Sequence, residues 1–161
     1  MAYNNRYEQK EFTETVVEIK RVSKKTKGGN TIRFSALVVI GDKKGKVGVA
    51  LAKAPDVSSA IRKAMEAAKR KLVKVPLKGT SIPYSVNEKF SAARILLKPA
   101  PSGSGIIAGG AIRVVLEAAG IRDAVGKILG TNNKTTNVYA TIKALKSLTK
   151  LDRRRKAREE K

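Results

Sequence analysis

The chain has 161 residues, with 35 Lys and Arg against 13 Asp and Glu, a formal net charge of +22, and neither Cys nor His. That composition excludes zinc knuckles, Cys or His nucleophiles and bases, and a disulfide framework. A hydrophobic share of 42% allows a folded core, yet no apolar run approaches the roughly 18–20 residues of a membrane span, and the polar first ten residues carry no apolar segment of a secretory signal.

Residues 1–12 are expected to form a flexible N-terminus. From Thr15 to Val22, Val17 and Ile19 alternate with Glu18 and Lys20, which predicts a strand. Ser23 to Asn30 reads as a turn-rich basic loop. Thr31 to Ile40 is a second strand, with Ile32, Phe34, Ala36, Val38 and Ile40 apolar at period two while Arg33 and Ser35 point the other way. Gly41 to Lys46 is a hairpin turn, and Val47, Val49 and Leu51 make a third strand. Pro55-Asp56 ends the sheet and caps a helix over 57–74, where Val57, Ile61, Ala64, Met65, Ala68 and Leu72 form one stripe. This first unit, residues 13–77, reads β-β-β-α.

Val75 to Gly79 breaks the pattern and marks a boundary. Ile82–Val86 and Phe90–Leu97 read as strands, and Lys98 to Gly105 as a loop. A helix follows from Gly109 to Ala119, stopped by Gly120. Asp123–Leu129 is a further strand, and Val138, Ile142 and Leu145 share the face of a last helix. The second unit, residues 78–149, reads β-β-α-β-α, a sheet with helices on one face. Residues 150–161 form a charged tail. The fold class is α+β, built as two small α/β domains.

The charge is unevenly placed: residues 1–19 carry a net −2, 20–75 a net +13, 76–149 a net +7 and 150–161 a net +4. An excess of one sign costs folding energy unless a partner neutralises it. A membrane surface would call for a basic amphipathic helix with Trp or Phe anchors, but Trp is absent and Phe occurs three times. Nucleic acid is the better partner. Only 4% of residues are aromatic, and residues 20–75 contain Phe34 alone. Base stacking is therefore a poor explanation, and structured RNA read by charge and shape is the better one.

Lys20, Arg21, Lys24, Lys25 and Lys27 lie within eight positions and end on Gly28-Gly29. With Ser23 they describe a hairpin tip that reaches along phosphate backbones, the lysines as point charges and the glycines letting the main chain approach. The alternative is a solvated hairpin whose charge discourages edge pairing. Arg33 and the turn lysines Lys43, Lys44 and Lys46 extend the candidate surface. On the 57–74 helix only Glu66 offsets six basic residues between Arg62 and Lys74. Arg62, Lys63, Lys69 and Arg70 are therefore candidates to face phosphate, against the alternative of a solvated helix flank.

Gly103-Ser104-Gly105-Ile106-Ile107-Ala108 matches G-x-G-x-x-A, with Asp123 twenty residues beyond Gly103. Pro99 and Pro101 interrupt the strand-to-turn transition, and the remaining chain is too short for a dinucleotide fold. The glycines are better explained by close packing, of helix on sheet or of the loop on a neighbouring protein. No cofactor or metal is expected, and no catalytic residue. The carboxylates are isolated, and Ser23-Lys24 is more economically an RNA contact than a nucleophile and base.

Arg21–Gly29, Phe34–Asp42 and Gly45–Gly48, then Leu97–Pro101, Gly103–Ala111, Leu116–Ile121, Asn132-Asn133 and Asn137-Val138, occur in one order over residues 13–148. The chain thereby resembles the family of bacterial-type small-subunit ribosomal proteins numbered five. The resemblance implies a double-stranded-RNA-binding-like first domain and a second domain whose fold is shared with small-molecule kinases. It implies a structural role in the small subunit: binding ribosomal RNA where body and head meet, near the incoming messenger, and aiding decoding accuracy. It also implies partners: small-subunit proteins numbered four and eight. Carried over by position, the 21–30 loop contacts RNA. Gly103, Ser104, Gly105, Gly109 and Arg113 face protein four, and the end of the second domain lies towards protein eight. The chain departs from the family at Asn30, where Arg is frequent, at the extra basic Lys43-Lys44, and at Lys134, where Pro is frequent. The expected location is the ribosome of the cytoplasm, or of an organelle. The rival readings are a free-standing structured-RNA-binding protein or RNA chaperone and, from another class, a kinase-like enzyme using the 101–110 loop.

Overall fold

The computed structural model describes residues 12–159. The expectation of a flexible start therefore lies, up to residue 11, outside the described residues. Strands β1 (Thr13–Thr26), β2 (Gly29–Gly41) and β3 (Lys46–Ala54) form an antiparallel meander, closed at its edge by the short strand β4 (Val73–Lys74). Helix α1 (Val57–Lys69) follows β3 and packs back on the sheet. Its start is set by Asp56, whose carboxylate accepts from the Ser59 N–H at 2.8 Å.

The buried seam of α1 is a spine of small residues, Ala60, Ala64 and Ala68, each fully buried. The bulkier Ile61, Met65 and Leu72 lie at its margins, only partly buried. Gly48 explains why. A Cβ there would overlap the Ala68 carbonyl oxygen, so helix and sheet approach too closely for larger side chains between them. The helix stops at Lys69, short of the expected 74, because Val73 and Lys74 are taken up as β4, pairing with Val47 and Lys46.

The second sheet comprises β5 (Val86–Phe90), β6 (Ala93–Pro99), β7 (Ile106–Ile107) and β8 (Ala124–Ile128), in the spatial order β5-β6-β8-β7. Helices α2 (Gly110–Ala119) and α3 (Lys134–Glu159) belong to this half. The expected strand at Ile82–Val86 is displaced to Val86–Phe90. Pro83 has no N–H for a ladder, and Ile82 is buried outside any strand. The last helix runs 26 residues, through the segment expected to be a charged tail.

The two halves share one core. Along β2, Ala36, Val38 and Ile40 meet α1, while Leu37 and Val39 join Ile112, Leu116, Leu145 and Leu148 of α2 and α3. Gly41 sits at the closest approach, where an added Cβ would overlap the Ala118 carbonyl oxygen at the end of α2. The β2–β3 turn finishes the contact. Lys43 N–H donates to Ala118 O at 3.1 Å, and Gly45 N–H donates to Ala119 O at 2.9 Å. These are carbonyls that a helix end leaves without an internal partner.

Gly41→Ala is therefore expected to lower stability by about 1–3 kcal/mol or more in urea denaturation, as over-packing does. At Gly28, where a Cβ would meet nothing within 4 Å, the same change should stay within about 0.5 kcal/mol. Equal stabilities for the two variants would contradict the close approach of the halves.

Candidate nucleic-acid interface

The segment Ser23 to Asn30 is not a loop. β1 continues through it to Thr26, the turn is only Lys27-Gly28, and β2 begins at Gly29, with Thr26 opposite Gly29. The Thr26 hydroxyl donates to Gly29 O at 2.7 Å, tying the two strand ends together. β3 pairs with β2 only from Phe34 onward. Val22–Thr26 and Gly29–Arg33 therefore form a two-stranded ribbon that projects past the sheet by roughly 17 Å at about 3.3 Å per residue.

Strand alternation divides the cations of this arm between its two faces. Arg21, Ser23 and Lys25 share a face with Phe34, Ile32 and Asn30, on the side that α1 covers further down. Lys20 and Lys24 lie on the other face with Arg33. Lys27 sits at the tip. There is no carboxylate from Lys20 to Arg33. Lys20 pairs with Glu18 at 3.1 Å, whereas Arg21, Lys24, Lys25, Lys27 and Arg33 form no ion pair among the described residues. On the α1 side, Arg21, Ser23, Asn30 and Ile32 line a hollow of about 310 Å³.

The other expected contacts are dispersed. Arg62 and Lys63 are exposed at the middle of α1, whose first turn follows the end of β3 beside Phe34. Lys69 and Arg70 lie at the opposite end of the helix, where Lys69 pairs with Glu14 at 3.6 Å. Lys43, Lys44 and Lys46 belong to the far end of β2, roughly 40 Å from the tip by strand rise. Their turn is built into the junction between the halves, with Asp42 accepting from the Lys44 and Lys46 N–H groups at 2.7 and 2.9 Å. Their side chains are exposed, but they do not join the arm in one patch.

The glycine loop is organised around an internal anion. Asp123, 3% exposed, accepts from the N–H groups of Gly103 and Gly105 at 3.1 and 2.9 Å. The Thr80 hydroxyl beside it, then the Gly105 and Gly103 amides, hold its carboxyl below the usual carboxylate range, against a burial that would raise it. Donors that could have met a phosphate are thus committed to a side chain. Asp123, at the spacing of a ribose-binding acid, turns back on the glycines instead. Gly109 serves helix–sheet packing, since a Cβ there would meet Ile128 Cδ1 at 2.9 Å. Gly103 and Ser104 stay exposed. Arg113, on α2, is paired with Glu117 at 2.8 Å.

One further grouping leaves no sign in the sequence. Lys74, Lys78, Arg153 and Lys156, far apart along the chain, line a hollow of about 560 Å³ with Tyr84. Arg155 stacks over the Tyr84 ring at 4.2 Å. Among the described residues no group of three or more carboxylates could hold a metal ion, and no helix is long and apolar enough to cross a membrane.

A basic α+β scaffold with a projecting cationic ribbon has the organisation of a ribonucleoprotein component. Residues 12–76 match the family model described as Ribosomal protein S5, N-terminal domain, and residues 88–159 match Ribosomal protein S5, C-terminal domain. The chain belongs to the ribosomal protein S5 family and is a structural protein of the small ribosomal subunit, in a family that is in general not enzymatic.

Asp123→Ala should leave the Gly103 and Gly105 amides without their acceptor, lowering the melting temperature and speeding amide exchange in the loop. Because the folded carboxyl titrates below its ordinary value, its stabilisation is present above about pH 4 and lost as pH falls through the lower folded value. The gap in melting temperature between the parent and Asp123→Asn should accordingly close in acid. A gap that widens below pH 4 would show that the carboxylate is not the stabilising form.

Proposed function

We propose that the protein binds small-subunit ribosomal RNA through the β1–β2 arm and the arm-side flank of α1, at the junction of body and head, and so contributes to decoding accuracy. The observation that carries this reading is the arm itself. It projects beyond the sheet, has cations on both faces, and holds no carboxylate from Lys20 to Arg33. A two-stranded ribbon cationic on both faces suits a position between two phosphate backbones, where each face meets a separate strand. Family membership supports RNA as the polyanion. On the same reading the exposed Gly103–Ser104 turn and the Arg113 flank of α2 face protein four, the end of the second domain lies towards protein eight, and the ribosome is that of the cytoplasm.

With about six to eight phosphates engaged, log affinity for small-subunit ribosomal RNA should fall against log salt with a slope of roughly −4 to −7. The triple variant Lys24→Ala, Lys25→Ala, Lys27→Ala should make that slope shallower by roughly 2–3. Its melting temperature should hardly change, since all three side chains are exposed. Unaltered affinity and slope would remove the arm from the interface.

A further inference from the structure

Among the described residues, the second sheet is covered on one face only. Val86, Ala93, Ile95, Leu97 and Ala124 are buried on the side of α2 and α3. The alternate positions point away: Asn87 and Lys89 on β5, Arg94, Leu96 and Lys98 on β6, Val125 and Lys127 on β8. Ile107 of β7, paired beside Val125, is 61% exposed. Lys89, Arg94, Lys98 and Lys127 are all exposed, and none forms an ion pair among the described residues. The one carboxylate of these strands, Glu88, points to the other side, where it accepts from Ser147 and pairs with Lys143 at 3.4 Å.

We propose that this open face is a second RNA-binding surface, which seats a stretch of ribosomal RNA backbone independently of the arm. The inference rests on the RNA-binding reading above and extends it to the C-terminal half. Lys89 and Arg94 stand directly opposite each other on neighbouring strands, an arrangement that is unfavourable for like charges until an anion lies between or across them. Lys127 pairs beside Leu96 and Lys98 pairs beside Val125. The four cations thus form a track along β6 that is roughly 13 Å long, from Arg94 to Lys98. That length matches a few successive phosphates. The face carries no carboxylate to repel them, and the aliphatic side chains between the cations offer contact to sugars. Charge complementarity selects a polyanion over an apolar or basic protein surface.

The test uses the full chain and transcribed small-subunit ribosomal RNA. The quadruple variant Lys89→Gln, Arg94→Gln, Lys98→Gln, Lys127→Gln should bind about tenfold or more weakly at moderate salt, with a salt slope shallower by roughly 3. Combined with the triple alanine change in the arm, the two losses should multiply. Because the chain has no Cys, Asn87→Cys can carry a single tethered iron chelate on this face with every cation in place. Hydroxyl-radical cleavage of the bound RNA from that position is the expected result. If the quadruple variant binds as the parent does and the tethered chelate cuts nothing, while the arm variant still weakens binding, the sheet face is not an RNA surface. Loss of assembly into particles without loss of RNA affinity would point to a protein partner there and would equally overturn the proposal. If neither set of changes alters RNA affinity, the reading of the arm fails as well.

Discussion

Ala36 to Ile40 in β2 are each no more than 1% exposed, and the rest of the architecture depends on that strand being gripped from both sides. On one face it accepts a helix whose contact side is nearly all alanine. On the other it meets the helices of the second half, with Gly41 admitting the end of α2. A strand held on both faces cannot slip register without moving apolar side chains into solvent and into the opposite core. The arm is the free continuation of that clamped strand and of β1 beside it. Its direction is therefore fixed by burial some distance away, and a ribbon of mostly polar residues gains a defined orientation that its own sequence could not supply.

Electrostatics works against this assembly. The net charge of +22 sets cations at facing register positions: Lys46 opposite Lys74 on the first sheet and Lys89 opposite Arg94 on the second. At such separations an exposed pair in water costs about 1 kcal/mol or less, and salt screens it further. Each such penalty is small beside the free energy of burying a core side chain. The penalties still leave free energy to be recovered when phosphate replaces the condensed ions around the cations. Acids are held internally where geometry must be kept, Glu18 and Glu88 by lysines and Asp123 by backbone amides. The cations of the arm and of the open sheet face form no ion pair among the described residues, apart from Lys20 with Glu18.

Much of this was legible in the sequence. The α1 start and the α2 stop are legible in the Asp56 cap and the left-handed Gly120. Most strands of the two sheets are legible in period-two patterns whose side chains face a core, whereas β4, β7 and the position of β5 are not. The arm has the sequence of a loop for the same reason. Ser23–Asn30 faces no core, so nothing alternates, and its Lys, Thr, Gly and Asn content is that of a turn. The C-terminal segment has the pattern of a tail because its apolar period is lost after Leu151. Yet Lys and Arg are good helix formers, neither Gly nor Pro follows Gly130, and the Arg155–Tyr84 contact and the Lys156–Asp152 pair at 3.1 Å support the last turns. The docking of the 42–45 turn on α2 is a backbone contact between distant segments and leaves no pattern. One sign of the shared core was available: the unbroken apolar run Ala36-Leu37-Val38-Val39-Ile40, the mark of a strand buried on both faces.

The glycine loop and the arm answer the same chemical question in opposite ways. Both present glycines and N–H groups of the kind that phosphate oxygens seek. In the loop a carboxylate from the same chain occupies the anion position, so the backbone at Gly103 and Gly105, both at positive φ, is fixed in advance and its donors are spent. What such a loop can still offer a neighbour is shape and an exposed turn, the property expected of a protein–protein contact. Among the described residues no carboxylate pairs with Arg21, Lys24, Lys25, Lys27 or Arg33 of the arm, so those charges are open to completion from outside. The division follows from where the chain places its few acids. With 13 of them against 35 cations, each acid that stabilises one site leaves another exposed, and the sites left without one are those where an external polyanion gains most.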